Sequence, residues 1–388
     1  MLTGQNGILS QAQKAKSETE NAAKNEAGIL SDYETKINEE LGIKPEAEPG
    51  HYYEEDTDVT VGGKPVTIPG GATVSKIPGE YEKIDNGFVI YITNKQITDE
   101  EWQDVETMQK TYDQFVWVPV EKAYVTVEEM GGDSLDNLKS YITANDNKVY
   151  PMAVKSGDTY SGILYDFNDS ADGSKVEITP YDYKTTSSNR EPDVVSYDTG
   201  SYASEGVTKS GLQSEYKEMV EGVNAKGGFW VGRYETSSMV DDNKQDTTNI
   251  IKVVRGTTEG INNVNWYRMY AQQKNYAKNK FGETAKTKSS MIWGSQWDQI
   301  MIWMKDKPAK VINETYTGKF YITNAVGMGN YGAIDGVSDG YTSTSSPAET
   351  GCFDVKNIFD LAGNVNDWTL EANGTSSRVL RRRRLQQC

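Results

Sequence analysis

The side chains that most often carry out catalysis are scarce in this chain. Its 388 residues include one histidine, His51, and two cysteines, Cys352 and Cys388. A Ser-His-Asp triad or a three-histidine iron site would have to be built on His51, which lies in a polar stretch. The cysteines form no Cys-x-x-Cys motif or Cys/His cluster, so they do not indicate a zinc site. Whether they form a disulfide with each other stays open.

Carboxylates are the abundant titratable groups. The chain has 57 Asp and Glu residues against 40 Lys and Arg, which gives a net charge of −17. This balance argues against nucleic acid, because neutralising phosphates requires an extended basic surface. It suits a divalent cation or a cationic partner. A carboxylate pair for glycosidase chemistry stays open, since no spacing in the sequence selects one pair.

The elements that would position such side chains are organised around residues 357–369, which read NIFDLAGNVNDWT. An apolar start, a turn and a strand that carries Trp368 predict a segment that enters the core, bends and leaves it. Gly363 permits a positive φ at the bend, and Asn364 tolerates the same backbone region. From these residues alone, a tight corner in a β-rich core beside a buried tryptophan is the plainer interpretation.

Strands and helices are indicated upstream of this stretch. Alternating apolar residues predict strands at residues 87–93, 114–121 and 227–237. Residues 263–282 predict an amphipathic helix, and residues 289–305 predict a strand up to Trp293 followed by a helix. Between the strands, residues 122–206 are polar and rich in turn-forming residues, so we interpret them as a long, loop-like insertion.

Residues 357–369 resemble the signature of the formylglycine-generating-enzyme (sulfatase-modifying-factor) domain, which runs roughly N-x-x-x-x-x-G-N-V-x-E-W. Asp367 stands where that family usually has glutamate, and Asn366 where it often has an aromatic residue. The upstream strands and helices follow the order of the family. The resemblance implies an α+β fold, with a C-type-lectin-like (formylglycine-generating-enzyme type) domain at residues 112–381 that contains the insertion at residues 122–206.

A long N-terminal helix and a small β-rich region are expected to precede this domain. Apolar residues recur at three- and four-residue steps, and Pro45 ends this helical pattern. The sequence TGQNGIL, followed by a Lys/Ala/Glu-rich helix, resembles the lower half of the N-terminal helix of bacterial type IV pilins. Residues 1–45 are therefore interpreted as a pilin-like helix whose membrane half is absent. Residues 46–111 are expected to form a linker and a small β region, in which Gly62-Gly63 predicts a hairpin turn.

The resemblance implies no catalytic residue in this chain. Enzymatic members of the family use a pair of cysteines near the C-terminus as copper ligands and redox partners, but Cys352 precedes the signature and Cys388 is the final residue. A related branch binds iron through histidines, for which His51 is unsuitable. We therefore expect a protein that is not an enzyme. An enzyme of the formylglycine-generating type, or a hydrolase, is the alternative.

Structural calcium is the cofactor that the resemblance implies. The implied ligands form two oxygen-rich sites, with Asn324, Ala325, Asp339 and Tyr341 in the first and Gly363, Val365 and Asp367 in the second. Mixed carboxylate, amide and carbonyl oxygens suit this hard cation. The alternative, in which Asn324 and Asp339 are ordinary turn residues, stays open.

The function implied by the resemblance is non-catalytic ligand binding on a bacterial surface, through a pilin-like stem. Lectin-fold proteins with this signature and a hypervariable C-terminal region are targets of diversity-generating retroelements, and their ligand residues follow the signature. The residues implied for ligand binding here are Asn366, Trp368, Glu371, Asn373 and Arg378. A core role for Trp368 stays open, and a structural minor pilin is a further alternative.

The expected partner is a surface protein or a glycan, with pilin subunits as further candidates and no nucleic acid. No apolar run reaches the roughly 20 residues that cross a bilayer, so we expect the chain as written to be soluble and to meet a membrane only through a missing N-terminal segment. With a prepilin segment, the full-length protein would be at the bacterial cell surface or extracellular. Residues 382–388 contain an arginine run, and we interpret them as an aberrant basic tail on a truncated C-terminus.

Overall fold

The structure is a computed structural model whose described residues form an α+β fold. The described parts of the chain are residues 13–19, 21–23, 26, 33, 44–169, 176–184, 192–238, 251–256, 264–282, 286–305, 354–359, 361 and 367–381. Mainly antiparallel sheets and hairpins alternate with helices along these residues, and β7 with β8 is a parallel pair. The α+β class expected from the sequence is confirmed.

The secondary-structure elements are numbered here in chain order. The strands are β1 (Tyr52–Tyr53), β2 (Thr57–Val61), β3 (Lys64–Ile68), β4 (Ala72–Val74), β5 (Val89–Ile92), β6 (Asp113–Pro119), β7 (Tyr124–Thr126), β8 (Ala153–Ser156), β9 (Thr159–Gly162), β10 (Leu164–Asp169), β11 (Val176–Asp182), β12 (Gly228–Gly232), β13 (Ser237–Ser238), β14 (Ile251–Lys252), β15 (Asp354–Val355), β16 (Ile358–Phe359), β17 (Asp367–Asn373) and β18 (Ser377–Arg381). The α-helices are α1 (Asp99–Gln103), α2 (Val105–Thr111), α3 (Leu135–Ala144), α4 (Ser196–Thr199), α5 (Lys209–Lys226), α6 (Trp266–Phe281) and α7 (Gly294–Met304). Short 3-10 helices lie at Ile84–Asn86 and Ala203–Glu205.

A five-stranded antiparallel sheet lies at the centre of the fold, in the order β1-β4-β5-β6-β12. The three strands predicted from alternating apolar residues are β5, β6 and β12. Strand β6 lies between β5 and β12, and its Val116 is opposite Val89 of β5 and Val231 of β12. Because β1, β4 and β5 precede residue 112 and β6 and β12 follow it, the domain boundary predicted at that residue runs through one sheet.

Beside this sheet, β2 and β3 form the hairpin predicted from Gly62-Gly63. Both glycines have a positive φ, of 58° and 77°, which a two-residue hairpin turn needs and which glycine adopts without strain. Val59 and Val66 lie opposite each other across the hairpin and are fully buried. Among the described residues, they belong to the smaller of two hydrophobic cores, to which the β region expected within residues 46–111 contributes.

The inserted segment, residues 122–206, has regular structure where its polar composition predicted a loop. Strands β7, β8 and β9 form a three-stranded sheet, and β10 pairs with β11. Val125, Leu138 and Met152 have no exposed surface and belong to the larger hydrophobic core. The loop-like interpretation was wrong because a few apolar residues recur at inward-facing positions, as in the alternate buried residues of β11.

Helices α5, α6 and α7 contribute to the larger core. The buried residues of α5 recur at helical spacing and are Leu212, Tyr216, Val220 and Val223. The helix predicted over residues 263–282 is α6, and the helix predicted after Trp293 is α7. The strand predicted before Trp293 is wrong. That segment runs beside β17, where the Leu370 N–H donates to the Ile292 carbonyl at 3.0 Å, but it forms no ladder there.

Asn357, the first residue of the signature-like stretch, connects it to the N-terminal part of the chain. It lies in the turn between β15 and β16 with a φ of 63°. Its Nδ2 donates toward the backbone carbonyls of Gly79, Asn86 and Gly87, at 3.2, 3.2 and 2.8 Å. One side-chain amide therefore holds a turn next to the central sheet, and we call this contact the Asn357 clamp.

The N-terminal stretch is helical where it is described. Residues 13–19, 21–23, 26 and 33 are helical and exposed, and the rest of the helix predicted over residues 1–45 lies outside the described residues up to residue 44. Within the ranges that the structure describes, no helix has the length and apolar character needed to cross a bilayer. The basic tail, residues 382–388, also lies outside them.

Candidate ligand-binding face

All four described residues among those implied for ligand binding belong to the β17–β18 hairpin. The two strands are joined by a tip at residues 374–376. The register shifts between Trp368 and Ala372, so that β17 has extra residues there relative to β18. Such a bulge redirects side chains that would otherwise alternate, and the residues between these two are all buried: Thr369, Leu370 and Glu371. The hairpin therefore turns the Thr369 hydroxyl and the Glu371 carboxylate into the protein.

An ion pair with a buried carboxylate fixes the base of the hairpin beside α7. Arg381 donates to the Glu371 carboxylate through Nε at 2.6 Å and Nη2 at 2.5 Å, and the side chains of Arg381 and Glu371 are 29% and 3% exposed. Two parallel bonds hold the guanidinium and the carboxylate in one relative orientation. Glu371 also lies against Gly294, the first residue of α7, where an added Cβ would be 2.0 Å from Glu371 Cδ. A carboxylate is favoured there because the first N–H groups of a helix carry partial positive charge.

A second buried ion pair fixes the hairpin to the inserted segment. Arg378 Nη2 donates to Asp198 Oδ2 at 2.5 Å, and these side chains are 4% and 0% exposed. Arg378 Nη1 donates to the Asp193 carbonyl at 3.0 Å, and its guanidinium lies 4.1 Å from the ring centre of Trp266. The Tyr267 hydroxyl donates to the other Asp198 oxygen. Both Asp198 oxygens are therefore satisfied inside the protein.

Burial shifts the pKa values of Arg378 and Tyr267 in opposite directions. Loss of water lowers the pKa of Arg378, and the neighbouring Asp198 carboxylate opposes that shift. Burial first, and then the hydrogen bond to Asp198, raise the pKa of Tyr267 above its usual range. An arginine stays charged through shifts of this kind because its pKa starts above 12. Arg378 and Asp198 therefore form a charged pair next to a neutral tyrosine.

The tip of the hairpin and the start of α4 form an exposed, uncharged surface. The Ser196 N–H donates to the Thr375 carbonyl at 2.8 Å, which places the next residue, Tyr197, beside the tip. Tyr197 is 55% exposed, and the other side chains of this surface are exposed as well. We call this surface the tip face; it consists of Tyr197, Asn373, Thr375 and Ser376. Tyrosine with small hydroxyl and amide residues is the composition of adaptable recognition surfaces.

The residues implied for ligand binding have different environments. Asn373 is exposed, whereas Glu371 and Arg378 direct their side chains into the protein, where each is held in a buried ion pair. Trp368 donates from Nε1 to the Val264 carbonyl at 3.0 Å and packs against the larger core. Asn366 lies outside the described residues. Ligand binding by this set stays a prediction, and the geometry places Asn373 in the best position to make a contact.

Asp367 is the one implied calcium ligand that lies within the described residues. It is partly buried, and the loss of water around its carboxyl raises its pKa to about 7, with no cation or donor among the described residues to offset it. A carboxylate in this environment fits a cation ligand. Among the described residues, no group of three or more His, Cys, Asp and Glu side chains is arranged to hold a metal. The other implied ligands lie outside those residues: Asn324, Ala325, Asp339, Tyr341, Gly363 and Val365.

Sequence reasoning missed the part of this site that comes from the inserted segment. Asp198 lies 180 residues before Arg378, so no local spacing links the two. Tyr197 was likewise treated as part of a polar insertion. The available signal was composition, because residues 196–202 read SYDTGSY and combine tyrosine with small polar residues.

Comparisons with protein-family models, with curated proteins and with solved structures give no match for this chain. The likeness to the formylglycine-generating-enzyme domain therefore rests on the signature-like stretch and on the order of the elements. It stays a prediction.

Proposed function

We propose that this chain is a non-catalytic ligand-binding protein that contacts a surface protein or a glycan through the tip face. The observation that carries the proposal is an exposed, uncharged Tyr/Asn/Thr/Ser surface on a hairpin that two Arg–carboxylate pairs, each with a buried carboxylate, hold in place. A tyrosine offers a large rigid contact area, and the amide and hydroxyl groups beside it offer donors and acceptors. Such a surface suits recognition of a polar macromolecule.

The anchoring of the hairpin favours binding because the hairpin is already held in one conformation before a ligand arrives. An isolated two-stranded hairpin is marginally stable in water. Here Arg378 and Arg381 both lie on β18 and pair with Asp198 and Glu371 inside the protein. A preorganised surface loses less conformational entropy on binding, so more of the contact energy remains as affinity. The tip residues themselves can vary without disturbing these pairs.

The proposal includes a C-type-lectin-like domain of the formylglycine-generating-enzyme type that is a target of a diversity-generating retroelement. The order β6, β12, α6, α7 and β17 supports this reading, since it follows the order of parts in that family. The separation between buried anchors and exposed tip residues also supports it. A protein whose ligand residues are diversified needs a scaffold that tolerates their replacement.

We further propose display on a bacterial surface through the pilin-like N-terminal helix. The support is the helical conformation of residues 13–19 and 21–23 and their exposure to solvent. The measurement is fractionation of cells that express the full-length gene product, followed by surface labelling. Recovery of the protein in the cytoplasm alone would contradict this part of the proposal and leave the binding part untouched.

The binding proposal is tested with the purified chain on a glycan array and on a panel of bacterial surface proteins. The variants are Tyr197→Ser and Thr375→Ala, which remove contact groups of the tip face. The matched control is Tyr181→Ser, because Tyr181 is a similarly exposed tyrosine, at 46%, on β11. Each tip variant is expected to weaken binding of the ligand found by at least about tenfold, a loss of ~1.4 kcal/mol.

Two results would contradict the proposal. One is that the tip variants and the Tyr181→Ser control all bind the ligand as tightly as the unchanged chain does. The tip face would then not be the contact surface. The other is turnover of the bound molecule, detected as a covalent change by mass spectrometry, because the chain would then be an enzyme.

A further inference from the structure

The tip of the hairpin contains an Asn-Gly sequence at Asn373-Gly374. The same dipeptide occurs at Asn86-Gly87, beside the central sheet, and at residues 6–7, outside the described residues. Asparagine followed by glycine is the sequence in which the backbone can most easily attack the preceding side chain, because glycine has no Cβ to obstruct the approach. The chain thus offers two described copies of one reactive sequence in different surroundings.

We propose that Asn373 is a site of spontaneous deamidation that changes the tip face with time. The Gly374 backbone nitrogen loses its proton to base and attacks Cγ of Asn373. A carbon–nitrogen bond forms in a five-membered imide, and the bond from Cγ to the side-chain nitrogen breaks, releasing ammonia. Water then opens the imide at either carbonyl, giving aspartate or isoaspartate. The reaction needs water and base, and nothing is oxidised or reduced.

The geometry at Asn373 leaves both reacting groups accessible. Asn373 is exposed, and Gly374 has a φ of 59° just beyond the end of β17. Among the described residues, neither the Asn373 side chain nor the Gly374 N–H has a hydrogen-bond partner. The contacts to the Asn373 carbonyl from Ser376 are long, at 3.5 Å from its N–H and 3.3 Å from its hydroxyl. The tip can therefore rotate, at a low cost in free energy, into the arrangement in which the Gly374 nitrogen attacks Cγ of Asn373.

The geometry at Asn86-Gly87 opposes the same reaction. The Gly87 N–H donates to the Ile84 carbonyl at 2.9 Å, so the attacking nitrogen is already engaged. The Asn357 clamp holds the carbonyls of both residues. A Cβ on Gly87 would lie 2.0 Å from the Lys356 carbonyl oxygen, so the backbone is closely covered. Attack there requires local opening of these contacts, which lowers the reactive population.

The consequence for binding rests on the proposed function. Conversion places a carboxylate in the uncharged tip face, and isoaspartate also lengthens the backbone by one carbon between β17 and Thr375. Binding is expected to decline in proportion to the fraction of Asn373 converted. The chemistry itself does not depend on any ligand, so the two claims are separable.

The test is incubation of the intact chain at mildly alkaline pH, followed by digestion and mass spectrometry of the peptides that contain Asn86 and Asn373. In the folded protein, we expect Asn373 to be lost at least about tenfold faster than Asn86, which corresponds to ~1.4 kcal/mol of additional restraint at Gly87. The matched control is the same chain in denaturant, where the two rates should become similar. Asn373→Gln should abolish conversion at the tip, since the longer side chain disfavours the five-membered ring.

Each outcome bears on the inference. Equal loss of both asparagines in the folded chain, or faster loss of Asn86, would overturn it. A tenfold difference that persists in denaturant would also overturn it, because the cause would then be flanking sequence rather than fold. Conversion of Asn373 without any decline in binding would leave the inference intact and contradict the role of the tip face.

Discussion

Buried arginines pair with carboxylates from distant segments of the chain. Arg233 donates from Nη2 to Glu80 at 2.7 Å, and these side chains are 4% and 6% exposed. The pair of Arg378 with Asp198 follows the same arrangement, whereas Arg381, whose side chain is 29% exposed, pairs with Glu371 of its own hairpin. Removing one member of such a pair strands a charge in the interior, which costs more than the pair itself contributes. Single-residue changes at these positions should therefore have large effects.

The first prediction concerns Arg378. Arg378→Met should destabilise the protein by about 3–5 kcal/mol, because the Asp198 carboxylate would be left buried without its cation. Adding Asp198→Asn should recover much of this loss, since the amide oxygen can still accept from the Tyr267 hydroxyl. The measurement is the free energy of unfolding from urea titrations of the single and double variants. A small effect of Arg378→Met, or a double variant less stable than the single one, would contradict the pairing.

The second prediction concerns Asp367 and calcium. At neutral or higher pH the charged Asp367 carboxylate is poorly hydrated, so a bound cation should stabilise the fold. Calcium at about 100 times its Kd would add about 2.7 kcal/mol, and excess chelator should reverse the rise in melting temperature. Asp367→Asn should raise the melting temperature in chelator and abolish the response to calcium. An unchanged melting temperature of the parent chain in calcium and in EDTA would exclude the site.

At the scale of elements, the junction between the hairpin and α7 depends on one glycine. Helix α7 starts at Gly294 against the Glu371 side chain, and the Ile292 carbonyl just before it accepts from Leu370 of β17. A side chain at residue 294 would therefore overlap the Glu371 side chain in its present position. The ion pair of Glu371 with Arg381 depends on this contact, because it is the packing of the two elements that buries it.

The third prediction follows from that contact. Gly294→Ala should destabilise the protein by about 1–3 kcal/mol, because the new Cβ would overlap the Glu371 side chain and displace it from Arg381. The matched control is Gly222→Ala in α5, where an added Cβ has no neighbour within 4 Å. That change should stabilise by about 0.5–1 kcal/mol through helix propensity. The measurement is the thermal and urea unfolding of both variants. Changes in stability of the same sign in the two variants would contradict the close contact at Gly294.

At the scale of the whole molecule, local patterns in the sequence predicted where strands and helices lie better than which of them contact each other. Alternating residues located β5, β6 and β12, the glycine pair located the β2–β3 turn, and helical spacing located α6. Each of these signals lies within a few neighbouring residues. The pairing of β6 with β5 and the contact of Arg378 with Asp198 join distant segments, and no local spacing encodes them.

The inserted segment shows why composition was misleading. Its polar residues suggested a loop, but only the inward-facing positions of a strand need to be apolar, and in β11 these are alternate residues such as Val176 and Ile178. The environments of the ligand candidates could not be predicted, for a related reason. A charged residue after the signature is as compatible with a buried pair as with an exposed contact, and only the fold shows that Glu371 is buried while Asn373 is exposed.

The last prediction tests whether residues 46–111 belong to the same folding unit as the rest. A fragment of residues 112–388 should fail to unfold cooperatively, because β6 would lose β5 and Arg233 would lose Glu80. A stranded buried charge costs about 3–5 kcal/mol, a large share of the 5–15 kcal/mol of a typical domain. The matched control is residues 44–388, which keeps the whole sheet and should have the urea midpoint of the full chain. Circular dichroism in urea gives both results, and a cooperative transition of the 112–388 fragment would show that the domain boundary predicted from sequence is a true folding boundary.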